Sequence, residues 1–113
     1  MYKNIFDTHA HYEDEQFDCD RDELLSSFPE NGISGVVTCG TDIITSEKSI
    51  ALAEKYPFIY AAVGFHALNL DSLTADWCGD IKKLAARKKV VAIGEIGLDY
   101  HYERDSREKQ LEV

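Results

Sequence analysis

Long apolar runs are missing from this sequence. No stretch reaches the roughly 18 apolar residues that a membrane-spanning helix requires. No basic-then-apolar leader precedes the first expected strand. The expectation is a soluble, cytoplasmic protein with no membrane partner. Cysteine is also scarce. Cys19, Cys39 and Cys78 are the only three, odd in number and widely spaced. They form no CxxC pair and no secreted-type disulfide framework. They are expected to be reduced thiols that serve as packing residues. Positive charge is in deficit, with 12 Lys and Arg against 21 Asp and Glu and a net charge of −9. Phosphate contacts depend on Lys and Arg, so the composition excludes a generic nucleic-acid binder. A nucleic-acid substrate would have to be met at a local site, where bound divalent metals can supply the positive charge. The surplus acidity itself mainly serves solubility.

What is present is ordinary globular material, with 44% apolar and 29% charged residues. There is no linker, low-complexity stretch or second domain, so residues 1–113 read as one domain. Asn4–His9 reads as a strand, and Asp20–Pro29 as a helix with Leu24, Leu25 and Phe28 at helical spacing. Asn31-Gly32 stops that helix. Gly35–Cys39 is a β-branched run and a second strand. Thr45–Tyr56 is a helix capped by Thr45 or Ser46 and followed by Pro57. Phe58–Val63 is the third strand. Leu73–Lys89 is helical, with Trp77, Ile81 and Leu84 on one face. Its basic residues Lys82, Lys83, Arg87, Lys88 and Lys89 read as a solvated outer face rather than a nucleic-acid patch. Val90–Gly94 is the fourth strand, and Glu103–Val113 begins another helix.

This alternation predicts an α/β fold with a parallel sheet. The strands are nearly continuous apolar runs, as strands buried on both faces are. The chemically capable residues fall at the strands' C-terminal ends, where barrels and open doubly wound sheets alike place their sites. Strand order is not legible at this level, and both architectures stay open.

Two stretches carry the strongest chemistry. In Phe6-Asp7-Thr8-His9-Ala10-His11, alternate residues share a strand face. His9 and His11 then stand roughly 6.6 Å apart along the chain, close enough to lean toward one cation. Neutral imidazole is the commonest metal ligand, and Asp7 would orient a ligand or its backbone. In Gly94-Glu95-Ile96-Gly97-Leu98-Asp99-Tyr100, Glu95 follows a buried strand, where a carboxylate needs a cation or hydrogen bonds. Asp99 sits in the loop beyond and is equally readable as a turn former. His66 follows the third strand and faces the same end. It can hydrogen-bond a phosphate, support the metal, or simply pack. His101 reads as a surface residue.

Taken together, Asp7-Thr8-His9-Ala10-His11, Val63-Gly64-Phe65-His66 and Gly94 through Tyr100 resemble the TatD-like deoxyribonucleases, part of the wider amidohydrolase-like metal hydrolases. Arg107-Glu108-Lys109-Gln110 is similar to the family's helix after this loop. The resemblance covers the whole chain in order. It implies the N-terminal half of a (β/α)8 TIM-type barrel, about four parallel strands alternating with helices. It also implies a metal-dependent hydrolase that cleaves phosphodiester bonds of DNA, often as a 3′-to-5′ exonuclease. His9 and His11 would ligate one metal, and Glu95 would be the catalytic carboxylate bridging two. His66, Asp99, Tyr100 and Arg107 would hold substrate or shape the mouth. The ligand set suits magnesium, manganese or zinc without choosing among them.

Two departures stand out. Ala67 replaces the proline usual after His66. The chain is also about half the family's length, and a closed barrel usually takes roughly 250 residues. Two further histidines and a late aspartate are missing, so this chain supplies ligands for only part of the site. Because it ends inside an expected helix, the expectation is a piece of a longer protein. Open strand edges predict that this half either docks on a second copy or is marginally stable alone. One alternative is a catalytically incomplete metal-binding or interaction fragment. Another amidohydrolase-like reaction, such as cyclic-amide hydrolysis, is disfavoured by the Gly-Glu-Ile-Gly-Leu-Asp loop. The absence of a lysine after the fourth strand argues the same way.

Overall fold

The computed structural model describes all 113 residues. Its strands are β1 (Ile5–Ala10), β2 (Ile33–Cys39), β3 (Ile59–Val63) and β4 (Val90–Ile93). They form one sheet in the order β1-β2-β3-β4, and every neighbouring pair is parallel. An unbroken sequential order distinguishes barrel winding from a doubly wound sheet, whose order reverses at a switch point. The crossovers carry helices α1 (Arg21–Ser27), α2 (Ile43–Lys55) and α3 (Trp77–Ala85), and α4 (Arg107–Glu112) closes the chain. None is long and apolar enough to cross a membrane.

The core lies on one side of the sheet. Val36 on β2 and Ile59, Ala61 and Val63 on β3 pack against Leu25, Phe28, Ile50, Ala53 and Tyr56 from the α1 and α2 segments. The alternation of strand side chains puts these residues on the helix-facing side. The expectation of strands buried on both faces holds for much of β2 and β3 and fails at the edges. On β1, Phe6 is 51% exposed, and on β4, Val91 is 56% exposed. β1 and β4 each lack an outer neighbour, and nothing covers the concave face across which Phe6 stacks on Tyr60 at 6.4 Å.

Several local readings need correction. α2 starts at Ile43, capped by Asp42 rather than by Thr45 or Ser46. Asp42 Oδ1 accepts the Thr45 amide at 2.8 Å, and Thr45 Oγ1 accepts the Asp42 amide at 3.0 Å. This reciprocal box satisfies two amides that the helix itself cannot, and such caps contribute about 1 kcal/mol. α3 starts at Trp77 rather than Leu73, because Asp76 Oδ1 takes the Gly79 amide at 3.2 Å. Of the basic cluster, Lys82, Lys83, Arg87 and Lys88 are exposed, as expected, and only Lys89 is partly buried. Lys89 Nζ donates to the Pro57 carbonyl at 2.8 Å and lies 4.4 Å from the Tyr60 ring centre, and Arg87 pairs with Glu54. Among the cysteines only Cys39 is buried, while Cys19 and Cys78 are exposed.

One buried group in α2 is left unanswered. Ser49 is fully buried and its hydroxyl has no hydrogen-bond partner. An unsatisfied buried hydroxyl costs about 1–3 kcal/mol. Ser49→Ala is therefore expected to stabilise the protein by about 1 kcal/mol, raising Tm by roughly 4–8 °C at this chain size. A thermal melt reads the change, and a lowered Tm contradicts the assignment.

Candidate metal centre

A bulge in β1 sets which residues reach the site. Asp7 pairs with Val36 and Ala10 with Thr38, so three residue steps on β1 face two on β2. Asp7 is thereby opposite a residue of the helix-side core, and His9 and His11 fall on the other face, either side of Ala10. Asp7 Oδ1 accepts the His9 amide at 3.1 Å, bracing the backbone of a candidate ligand.

Glu95 reaches the same place from β4. The Gly94 amide donates to the Val63 carbonyl at 2.9 Å, and the Glu95 amide to the Gly40 carbonyl at 2.8 Å. The backbone thus crosses the ends of β3 and β2. That path needs glycine at 64, because a Cβ there would stand 2.8 Å from the Gly94 carbonyl carbon and from the Glu95 carbonyl oxygen.

Three side chains converge where these paths meet. Glu95 Oε2 lies 3.1 Å from His11 Nε2 and 3.4 Å from His9 Nε2, and the two imidazole nitrogens are 3.3 Å apart. The ligating atoms all lie within 4.8 Å of one another. The tautomers bear on what this group can hold. His11 Nδ1 is 2.8 Å from the Cys39 carbonyl, which has no proton to give. Nδ1 must therefore be the donor, and in the neutral ring Nε2 is then a bare lone pair. Two imidazole nitrogens and a carboxylate form a donor set that suits a divalent cation.

His66 has the opposite tautomer. Its Nδ1 accepts the Leu68 amide at 3.0 Å, so Nε2 carries the proton, 3.7 Å from Glu95 Oε1. It borders the cluster as a donor, not as a lone-pair ligand. His11, His66 and Glu95 line one open cleft of about 330 Å³ together with Thr41, Asn69 and Asp14.

Other sequence candidates lie apart from the cluster. Asp99 Oδ1 accepts the amides of His101 and Tyr102 at 2.8 and 3.0 Å. These bonds, that from Tyr102 foremost, hold its carboxyl below the usual range. It is a turn former in its own loop. Tyr100 lies under the Arg107 guanidinium, 4.7 Å from the ring centre, and Arg104 Nε donates to the Tyr100 carbonyl at 3.0 Å. Those three residues line a second hollow. His101 is exposed and packs edge-on against Tyr102. Glu13 was not singled out from sequence, yet it lies buried behind His11. Its place in the acidic run Glu13-Asp14-Glu15 gives it the look of a surface residue.

Fold and cluster together define a class: α/β-barrel proteins that work from the C-terminal ends of their strands. The family follows from sequence comparison. Residues 6–113 match the family described as "TatD related DNase". The chain belongs to this family. It is 40% identical over 109 residues to "Uncharacterized metal-dependent hydrolase YabD" of Bacillus subtilis, covering 96% of this chain and 43% of that protein. It is 31% identical to "3'-5' ssDNA/RNA exonuclease TatD" of Pantoea ananatis, covering 94% and 41%. The crystal structure of YJJV, a TatD homologue from Escherichia coli K12, superposes with a TM-score of 0.82 at 30% identity, covering 95% and 42%. The chain thus spans about two-fifths of the length of the relatives it matches.

Gln110 ties the loop after β4 to α4. It is buried, its Oε1 accepts the Asp99 amide at 2.8 Å, and its Nε2 donates to the carbonyls of Asp99 and Glu103 at 2.8 and 3.0 Å. Gln110→Ala removes these bonds together and is expected to cost about 1–3 kcal/mol. The Asp99 amide should also exchange faster with solvent. Unchanged exchange at Asp99 counts against this role.

Proposed function

We propose that this chain supplies the first-half ligands of a divalent-metal phosphodiesterase acting on DNA. In its full family length, such a protein works as a 3′-to-5′ exonuclease on single strands. The observation that carries the reading is the convergence of His9 Nε2, His11 Nε2 and Glu95 Oε2 within 4.8 Å, at the C-terminal ends of parallel strands. The names of the relatives, a metal-dependent hydrolase and a 3′-5′ ssDNA/RNA exonuclease, support the same reaction class.

In this reading His9, His11 and Glu95 hold a magnesium, manganese or zinc ion. In that reading Glu95, which lies between the histidines, would also serve a second ion. A bound ion supplies Lewis-acid polarisation of a phosphoryl oxygen and stabilises the charge that develops there. The chain's own residues do the positioning. Asp7 steadies the His9 backbone. The His66 Nε2–H donates to a phosphate oxygen at the rim. Arg107, stacked on Tyr100, offers a guanidinium fork for a backbone phosphate. Asp99 shapes the loop that presents Tyr100.

A complete two-ion site needs ligands beyond these three. They come from further barrel strands or from a second copy docked on the open edges of β1 and β4. A second reading, a metal-binding or interaction unit without turnover, is favoured by that incomplete ligand set. The three free cysteines suit a reducing, cytoplasmic setting.

The test starts with manganese(II) binding to the 113-residue chain by calorimetry. His9→Ala and Glu95→Ala are each expected to weaken binding by about tenfold or more, since even indirect supports of a ligand cost that much. A wild-type chain that binds no divalent ion overturns the reading. Manganese-dependent release of nucleotides from a single-stranded DNA oligomer, lost in both variants, separates the nuclease from the non-catalytic unit. Light scattering reads self-association, which is expected to rise with concentration. A monomer throughout removes the second copy as the source of missing ligands.

A further inference from the structure

Glu13 stands in an unusual position for an acid that the proposed reaction does not use. Its side chain is only 3% exposed, yet no lysine or arginine side chain pairs with it. Burying a carboxylate is costly unless its charge and lone pairs are answered. Two groups answer here. The buried Thr38 hydroxyl donates to Oε2 at 2.6 Å, and His11 Nδ1 lies 3.2 Å from Oε1. Arg21 fixes the backbone that carries Glu13. Its Nε donates to the Tyr12 carbonyl at 2.6 Å and its Nη2 to the Asp14 carbonyl at 2.7 Å.

We propose that Glu13 is a positioning residue for the metal centre, acting through His11. The inference rests on the reading of His9, His11 and Glu95 as a metal site. The Cys39 carbonyl sets the His11 tautomer, and a carbonyl alone would suffice for that. A carboxylate behind the same Nδ1–H does more. It places negative charge on the far side of the ring, enriching Nε2 as a donor, and it restrains the ring's rotation. Thr38 completes the relay by holding Oε2, so that Oε1 faces His11. The chain runs Thr38 hydroxyl, Glu13 carboxylate, His11 imidazole and then the cluster at Glu95 Oε2, 3.1 Å from His11 Nε2. The cation held by His11 is the counter-charge that the buried carboxylate otherwise lacks.

The experiment measures zinc(II) affinity of the whole chain by competition with a chromogenic chelator. Glu13→Gln keeps size and one acceptor, its amide oxygen toward His11, while removing the charge; its amide nitrogen can only donate, so the Thr38 hydroxyl has to turn and accept. It is expected to lower affinity about tenfold, and Glu13→Ala up to about 100-fold, as losses of such supports do. Far-UV circular dichroism should be unchanged in the Gln variant. Thr38→Val cuts only the tether and should lower affinity in the same direction by a smaller factor. It carries the test should the Glu13 variants fail to fold. A folded Glu13→Gln, or a folded Thr38→Val in its place, that binds zinc within twofold of wild type overturns the proposal. Nitrogen NMR of the metal-free chain gives a second readout that a purely structural role would not move. The His11 proton should reside on Nδ1 and exchange severalfold faster in Glu13→Ala. A proton on Nε2, or exchange indifferent to Glu13, also overturns it. Wild type that binds no zinc, but whose His11 proton still depends on Glu13, sinks the metal reading and leaves the positioning role standing.

Discussion

Two imidazole nitrogens 3.3 Å apart, with a carboxylate oxygen 3.1 Å from one and 3.4 Å from the other, form a crowded arrangement of electron-rich atoms. In the neutral ring His11 Nε2 has no proton to share, since the one ring proton is committed to the Cys39 carbonyl. Holding such atoms together requires a rigid frame on every side. The frame is the parallel register of β1, β2, β3 and β4, which delivers all four strand ends to one edge. The β1 bulge turns His9 and His11 inward, and the Gly40 carbonyl catches the Glu95 amide. Gly64 lets the β4 backbone pass close enough for that catch. Each of these features makes little sense for stability alone. A bulge within a strand and single glycines at the strand ends, Gly40, Gly64 and Gly94, do not strengthen a sheet. They are understandable as the cost of converging three side chains on one point.

The same register explains what stays uncovered. Helices pack on only one face of the sheet, so the core is one-sided and the concave face is left to Phe6, Tyr60 and the ends of β4. In a closed barrel that face is filled by side chains from further strands. The chain matches relatives along only about two-fifths of their length, and Phe6 and Val91 on the two edge strands are exposed. Site and edge are thus two aspects of one geometry. The strands that would bury Phe6 and Val91 are also the elements that could bring further ligands to the mouth.

Much of this was legible in the residues, because it depends on short-range rules. Strand identity, the sequence of elements, and the place of His9, His11 and Glu95 at strand ends all follow from periodicity and from where polar residues interrupt apolar runs. Most of what escaped depends on contacts between distant segments. Strand order decides between barrel and doubly wound sheet, and no local pattern encodes it. Asp42 outcompetes Thr45 as a cap because Thr45 is engaged as the third residue of the same box. The bulge separates Asp7 from the histidines that a plain alternation would put on its face. Glu13 is the sharpest case. Only the approach of Thr38, 25 residues away, turns a glutamate in an acidic stretch into a buried group. Asp99 was readable either way, and the amides of His101 and Tyr102 claim it for its turn.

Electrostatics then argue for what must arrive first at the mouth. The chain carries a net charge of −9, and the cleft beside the cluster is lined by Glu13, Asp14 and Glu95. A bare polyanion approaching that surface meets like charge at close range, where solvent screening is weakest. Cations reverse the sign locally, and one divalent ion held by His9, His11 and Glu95 would cancel two of those charges. The guanidiniums nearest the loop, Arg104 and Arg107, stand over or beside Tyr100 and not in the acidic cleft. In the proposed reading, a cation at the cluster therefore relieves the like charge of the cleft before a phosphate can approach it.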